Sequence, residues 1–212
     1  MLIGSRQRLS QIISDPILSI GSESIKRVSS TKTLGVMVDE CITWKDHIDE
    51  VAKKAAKGIG ILRRSNGFLD KDTLKTIYSV FVLPHFDYCA LVWHNCSKAL
   101  QNKLQKLQNK AGRIITGDSY EIASDTVTTK LCWDSLEERR EKQLETLMIQ
   151  IMKCNSIAYL REFFTFCSNQ TYQLRSSNHV LRLPKPNTNA LMRSFAYKGA
   201  AAWNNIEEHR KF

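Results

Sequence analysis

The spacing of the apolar residues changes at Thr43, and this change limits the folds open to the chain. Residues 1–42 contain short β-branched runs separated by turn residues, whereas apolar residues after Thr43 recur at helical spacing. Three apolar faces follow: Ile48, Val51, Ala52, Ala55, Ile59 and Leu62; Leu74, Ile77, Tyr78, Phe81 and Val82; and Leu100, Leu104, Leu107, Ala111 and Ile114. Because an amphipathic helix is stabilised mainly by packing its apolar face against a neighbour, the pattern predicts a helical bundle.

Capping and turn residues indicate where these helices begin and end. Thr43-Trp44-Lys45-Asp46 predicts a capping box at the start of the first helix, and Asn66-Gly67 predicts its end. Asp70 begins the second helix, Pro84 interrupts it, and His85–Trp93 predicts a further buried helical piece. The remaining boundaries are Ser97 and Gly117 for the third helix, Ser135 for a fourth that runs through Ile151, and Ser194–Trp203 for a final amphipathic stretch.

The first 42 residues predict two or three short strands in a small antiparallel sheet, within 19–28 and 33–39. Gly35 in the second run is predicted to let another backbone approach closely. The expected fold class is therefore α+β, mostly α, with a short N-terminal β hairpin or sheet followed by a helical bundle. We expect three regions, at 1–42, 43–117 and 118–212.

The positive charge is concentrated in one third of the chain. The sequence has 31 Lys and Arg against 21 Asp and Glu, for a net charge of +10. Residues 51–117 hold 12 of the basic side chains and 3 of the acidic ones. A concentrated basic block indicates a polyanionic partner, most often nucleic acid, although a solvated helix surface has the same composition.

The basic residues of this block lie on the polar sides of two predicted helices. On the third helix they alternate with amides, and no acidic residue occurs from Lys98 to Arg113. Such a surface favours contacts to phosphate and sugar over internal ion pairs. The predicted nucleic-acid-binding residues are Lys53, Lys54, Lys57, Lys98, Lys103, Lys106, Lys110 and Arg113, and the interleaved amides are Gln101, Asn102, Gln105, Gln108 and Asn109.

Membrane and secretory functions are not indicated. The longest apolar runs fall short of the roughly 18 residues of a membrane span, and no signal-peptide pattern follows Arg6 and Arg8. We therefore expect an intracellular protein, nuclear or cytoplasmic, with reduced thiols and without a small-molecule substrate or a cofactor of its own. The cysteines are Cys41, Cys89, Cys96, Cys132, Cys154 and Cys167.

Other sites have weaker support in the sequence. His85, Cys89, His94 and Cys96 form a possible zinc cluster, but their spacing fits no common zinc pattern. Neither Cys89 near His85 nor Cys41 near His47 has the context of a cysteine nucleophile. The four tryptophans, Trp44, Trp93, Trp133 and Trp203, have apolar neighbours, which favours core packing over base stacking.

Six motifs occur in the order and spacing typical of one enzyme family. They are Met1-Leu2-Ile3-Gly4-Ser5; Leu34-Gly35-Val36 with Asp39, Thr43-Trp44 and His47-Ile48; Ile77-Tyr78 with Pro84, Tyr88-Cys89 and Val92-Trp93; Leu104-Gln105 with Gln108-Asn109-Lys110-Ala111 and Arg113-Ile114-Ile115-Thr116-Gly117; Leu131-Cys132-Trp133-Asp134-Ser135-Leu136-Glu137-Glu138-Arg139-Arg140; and Ser194-Phe195 with Gly199-Ala200 and Trp203-Asn204. On these motifs the chain resembles the C-terminal part of a jockey-like non-LTR (LINE) retrotransposon reverse transcriptase.

This resemblance implies the end of the palm, the primer-grip hairpin, the thumb and the residues beyond. Leu34 and Gly35 match the pair in the hairpin that holds the primer end, and the helices at 43–117 match the thumb that holds the template–primer duplex. The implied partners are RNA or an RNA–DNA duplex, together with the palm and fingers of a longer polypeptide.

Two departures from the family pattern limit what the resemblance implies. The sequence contains no Asp-Asp pair, whereas two-metal nucleotidyl transfer needs carboxylates to hold both Mg²⁺ ions. Trp203-Asn204 is also followed by Asn205-Ile206, where the family continues with Leu-Pro. We therefore expect a polymerase fragment that binds duplex but is inactive alone, with Mg²⁺ held only by the full-length parent. The alternative is a helical protein-interaction module or an inert pseudogene product.

Overall fold

A computed structural model of the chain describes residues 1–12, 18–154, 158–167 and 180–206. The chain is divided into two compact units, Met1–Leu136 and Glu137–Phe212. The first unit has short strands followed by helices, so the predicted fold class, α+β and mostly α, is confirmed. No helix among the described residues is long and apolar enough to cross a membrane.

Two separate hairpins replace the single small sheet that the sequence predicts. After helix α1 (Arg6–Ser10), strand β1 (Leu18–Ile20) pairs with β2 (Glu23–Ile25), and β3 (Ser30–Thr33) pairs with β4 (Val36–Asp39), both antiparallel. A two-residue loop joins the strands of each pair. The two pairs form separate two-stranded sheets. All six residues of β1 and β2 are exposed.

The second hairpin turns at Leu34 and Gly35, which both have positive φ, +47° and +82°. Positive φ at both loop positions is the geometry that matches the twist of the flanking strands. The sequence interpretation of 33–39 as one strand was therefore wrong, since Gly35 supplies a turn inside it. Strand β4 then packs on the helices and buries Val36 at 5% exposure.

The further helices of the first unit are α2 (Lys45–Ser65), α3 (Lys71–Phe81), α4 (Leu83–Asp87), α5 (Ala90–Trp93), α6 (Lys98–Thr116) and α7 (Ser124–Leu131). All of these except α7, which was not predicted from the sequence, lie close to the predicted boundaries. Asp70 caps α3 through its carboxylate, and Gly117 ends α6 with a φ of +78°. The piece predicted at His85–Trp93 is divided between α4 and α5 by Cys89, whose φ is +49°.

The capping box predicted at Thr43 does not form. Trp44, the residue before α2, has a φ of +65° and gives no side-chain cap. The Asp39 carboxylate, at the end of β4, instead accepts hydrogen bonds from the backbone N–H groups of Cys41, Thr43 and Trp44. A side chain from the hairpin thus fixes the start of the helix, and the local sequence pattern gave no sign of it.

The apolar faces predicted for α2, α3 and α6 meet in one core. Of its members, Ile48, Ala55, Leu62 and Leu104 are fully buried. Phe81 is an exception at 49% exposure, although Tyr78 and Val82 near it are at most 2% exposed.

The tryptophans pack as the sequence predicts. Trp44, Trp93 and Trp203 are at most 5% exposed. The Trp133 ring stacks on Tyr78, with ring centroids 4.1 Å apart. Core packing is confirmed for all four.

The described residues of the second unit contain helices and an isolated β-bridge. Its elements are α8 (Leu136–Cys154), which starts at the last residue of the first unit, α9 (Ala158–Arg161), α10 (Asn189–Met192) and α11 (Phe195–Asn205). Phe166 and Leu181 form an antiparallel bridge, and the Asn204 side chain bonds both the N–H and the C=O of Leu181, at 2.8 and 2.9 Å. This pairing gives Asn204 of the Trp203-Asn204 motif a structural role. Residues 207–212 lie outside the described residues.

Candidate nucleic-acid interface

The basic faces of α2 and α6 meet along an open groove of about 570 Å³. Residues 49–56 of α2 form one side and residues 99–107 of α6 the other, so the groove runs between the first halves of the two helices. Its lining is Asp49, Ala52, Lys53, Ala56, Ala99, Asn102, Lys103, Lys106 and Leu107. Alanines thus leave room between the lysine side chains.

Three of the predicted binding residues, Lys53, Lys103 and Lys106, line this groove together with Asn102. All four are exposed. They come from two helices that are about 50 residues apart in sequence, and the packing of α2 on α6 brings them together. The sequence placed lysines on both helices, but only the fold shows that these three share one groove.

Lys103 and Lys54, two of the predicted binding residues, form ion pairs with acidic residues of α2. Lys103 Nζ lies 2.7 Å from Asp49 Oδ1, and Lys54 Nζ lies 2.8 Å from Glu50 Oε1. Glu50 also pairs with Lys32 of strand β3 at 3.2 Å. Hydrogen bonds from Lys54, and then from Lys32, lower the pKa of the Glu50 carboxyl. Lys54 is therefore engaged with the protein, on the side of α2 where the hairpin lies.

The other predicted lysines lie on α2 and α6 outside the groove lining. Lys57 and Lys98 are exposed, whereas Lys110 is half-buried. They add positive charge around the groove at longer range, and their contact with a ligand stays a prediction.

The last predicted residue, Arg113, is bound to the protein itself. Its Nη2 donates to the Ile122 carbonyl and to Ser124 Oγ, both at 3.1 Å. The guanidinium also lies over the Tyr120 ring, 5.1 Å from the centroid. These contacts attach the segment before α7 to the end of α6, so Nη2 of Arg113 is already bonded to the protein.

Most of the amides on α6 also face the protein. Gln108 is 1% exposed and donates to the Asp134 carbonyl at 3.1 Å. Gln105 donates to Gln108 Oε1 and accepts from the backbone of Leu136. Gln101 donates to the His94 carbonyl at 3.1 Å. The prediction that these amides face a ligand is wrong for Gln108, because its side chain is buried. Asn102 is the amide that lines the groove.

The primer-grip-like pair, Leu34 and Gly35, forms the tip of the β3–β4 hairpin. The Leu34 side chain is 88% exposed, and its carbonyl accepts a hydrogen bond of 2.8 Å from the Tyr88 hydroxyl. A Cβ on Gly35 would lie 3.1 Å from that hydroxyl oxygen. The tip is thus held against the helices with one apolar side chain pointing outward.

A buried histidine fixes the same hairpin to α2. His47 is 3% exposed, and its Nδ1 lies 3.4 Å from the backbone nitrogen of Met37, from which it accepts a hydrogen bond. Burial lowers the pKa of the His47 imidazole, and Glu50 opposes this shift while Lys54 and Lys32 add to it. The sequence motif contained His47, but its spacing gave it no role.

The described residues contain no group of three or more His, Cys, Asp or Glu side chains able to hold a metal ion. His85, Cys89, His94 and Cys96 are therefore not gathered into a zinc site, and no carboxylate set there fits the two Mg²⁺ ions of a polymerase. Free thiols are found at Cys41, Cys89, Cys96, Cys132 and Cys167, while the Cys154 side chain lies outside the described part.

Comparison with known proteins identifies the relatives of this chain. It is 25% identical over 145 residues to the probable RNA-directed DNA polymerase from transposon X-element of Drosophila melanogaster, covering 66% of this chain and 15% of the relative. Against the probable RNA-directed DNA polymerase from transposon BS, also of Drosophila melanogaster, it is 25% identical over 132 residues, covering 61% and 15%. This chain is related to transposon reverse transcriptases. It spans about 15% of the length of these curated relatives. No protein-family model and no solved structure matches it.

Proposed function

We propose that this chain is the thumb-containing segment of a jockey-like LINE reverse transcriptase, and that it binds RNA or an RNA–DNA duplex. The relationship to transposon polymerases supports the parentage. The absence of an Asp-Asp pair from the sequence supports a segment without the catalytic palm. In this proposal the palm, the fingers and the catalytic Mg²⁺ ions belong to a longer polypeptide.

The groove between α2 and α6 carries the proposal, because it gathers Lys53, Lys103 and Lys106 from two separate helices around one channel. Lysine ammonium groups bind phosphate oxygens as point charges and release counterions when they do so. Ala52 and Ala56 leave space between them for a sugar–phosphate strand. Contacts of this kind fix the position of a duplex without reading its sequence, as a protein that must move along its template requires.

The test is a salt titration of binding to a labelled RNA–DNA hybrid. The groove variant replaces Lys53, Lys103 and Lys106 with Gln. The matched control replaces Lys26, Lys45 and Lys71, which are exposed and outside the groove, so both variants lose the same charge. Three exposed charge contacts of about 0.2–1 kcal/mol each predict a loss of affinity of roughly threefold to a hundredfold for the groove variant.

The slope of log affinity against log salt separates this proposal from the alternatives. The groove variant should have a slope shallower by up to ~0.9 per lost phosphate contact, between about 50 and 200 mM salt. The control variant should retain most of the wild-type slope. Equal slopes and affinities for both variants would refute the groove as the binding site. Absence of salt-dependent binding in the wild type would favour a protein-interaction module or an inert product.

A further inference from the structure

We infer that Asp49 competes with phosphate for Lys103, and that this competition keeps the binding of a nucleic-acid backbone in the α2–α6 groove weak and exchangeable. The inference rests on the proposed function and adds a regulating residue to the same groove. It begins from the lining, in which every charged residue except Asp49 is a lysine. A carboxylate placed among phosphate-binding cations opposes the ligand, so its presence there needs an explanation.

The carboxylate is bonded to one of those cations. Asp49 Oδ1 lies 2.7 Å from Lys103 Nζ, and the two side chains are 37% and 49% exposed. A phosphate oxygen is therefore able to replace the carboxylate as the partner of Lys103. An exposed ion pair is weak and is exchanged easily with other ions. Lys103 is thus occupied in the free protein and becomes available only when a phosphate displaces Asp49.

Entry of a phosphate leaves the Asp49 carboxylate close to a second negative charge. Like charges repel, and the screening length of about 8 Å at physiological ionic strength does not remove an interaction across one groove. Asp49 therefore weakens binding twice: by occupying Lys103 beforehand and by repelling the phosphate afterwards. Such a residue suits a surface that must release and regain successive phosphates as a duplex moves past it.

The neighbouring acids differ from Asp49 in their positions. Glu50 pairs with Lys54 and with Lys32 of the hairpin, and it does not line the groove. Asp46, one turn earlier on α2, is exposed and also lies outside the lining. Asp46 therefore provides a matched control, since it has the same side chain and charge as Asp49 and lies on the same helix.

The experiment compares Asp49→Asn with Asp46→Asn in the full chain, using the RNA–DNA hybrid and the salt range of the earlier test. Asp49→Asn should bind about two- to fivefold more tightly at the lower salt concentration. Its salt slope should be steeper by up to ~0.9, because Lys103 then exchanges a counterion for a phosphate. Asp46→Asn should change affinity by less than Asp49→Asn and leave the slope unchanged.

Lys103→Gln tests whether the gain acts through Lys103. In this background, Asp49→Asn should lose most of its advantage over Asp46→Asn. Equal gains for the two Asn variants, or an undiminished gain without Lys103, would overturn the inference. If the wild type binds the hybrid and the groove lysines matter, such a result removes only the role of Asp49. If the wild type and Asp49→Asn both fail to bind, the proposed function fails and the inference with it.

Discussion

The two ends of helix α6 carry similar residues in sequence but differ in what those residues contact. In its first half, Lys103, Lys106 and Asn102 line an open groove. In its second half, Gln108 and Arg113 are bound to other parts of the same unit. The comparison shows that the fold, and not the residue type, decides which cations and amides of one helix line an open groove and which are bonded to segments packed against it. Variants at the two ends should therefore separate binding from stability.

The largest effect on stability is expected at Gln108. Gln108→Leu keeps the side-chain volume but removes the part-buried hydrogen bonds that Gln108 makes with the Asp134 carbonyl and with the Gln105 amide. Losing two such hydrogen bonds, at about 0.5–1.5 kcal/mol each, should lower the free energy of unfolding by about 1–3 kcal/mol. The measurement is chemical denaturation. Asn102→Ala, an exposed amide on the same helix, is the control and should change stability by less than about 0.5 kcal/mol.

Gln108 also shows where prediction from sequence ends. The helix boundaries depend on local residues such as Asp70 and Gly117, and these were predicted correctly. The hydrogen-bond partner of Gln108 is a carbonyl 26 residues further along the chain, and Asp49 and Lys103 of the groove are 54 residues apart. Contacts between distant segments leave no periodic signal, so the groove, like the buried amide, required the packed structure.

Helix α7 was missed for a related reason. Its sequence, Ser124–Leu131, is short and rich in threonine, which has a low helix propensity. Val127 is fully buried, and Arg113 holds the segment that leads into the helix. Packing therefore stabilises α7 despite its composition. The family relationship was predicted from motifs and is supported at the level of transposon polymerases, whereas the regional boundaries at 42 and 117 stay predictions.

A smaller loss of stability is expected for Arg113→Lys, which keeps the charge. A lysine cannot reproduce the planar guanidinium that bonds Ile122 and Ser124 while lying over Tyr120. The free energy of unfolding should fall by about 1 kcal/mol. The affinity of the folded protein for the RNA–DNA hybrid should stay unchanged. Thermal melting and binding measured on the same sample test both parts. A loss of affinity without a loss of stability would move Arg113 to the ligand-binding set.

The same division applies to α2, whose protein-facing side carries His47. Burial lowers the pKa of this imidazole, so below about pH 6.5 the unfolded chain binds a proton that the folded chain does not. As far as His47 is concerned, the free energy of unfolding is highest above that pH. It falls as the pH decreases below about 6.5, and stops falling once the pH is below the pKa of the folded state. Protonation would also put a second donor opposite the Met37 N–H.

Unfolding free energies of the wild type and His47→Asn, measured from pH 7 downward to pH 5, test this expectation. Asn keeps an acceptor near the position of Nδ1 but does not titrate, so its pH dependence should be shallower. His85, whose pKa is also lowered by burial, is present in both proteins and cancels in the comparison. Identical pH dependence for the two proteins would exclude His47 as the source.

The smallest effect is expected for a single groove cation. Lys53→Gln should weaken hybrid binding about two- to fivefold and leave the melting temperature unchanged, because Lys53 is exposed and only its ligand contact is lost. Lys45→Gln, an exposed lysine at the start of the same helix, is the control for charge. Equal losses for both would indicate attraction by net charge without a defined groove.

The most direct measurement is a titration of the side-chain amide signals by nuclear magnetic resonance as RNA–DNA hybrid is added. Asn102 lies in the groove and Gln108 is bonded inside the protein, so one spectrum contains both the probe and its control. A groove that binds the backbone through Lys53, Lys103 and Lys106 predicts that the Asn102 signal moves with saturation while Gln108 stays fixed. An Asn102 signal that stays fixed while the hybrid binds would contradict the groove as the nucleic-acid site.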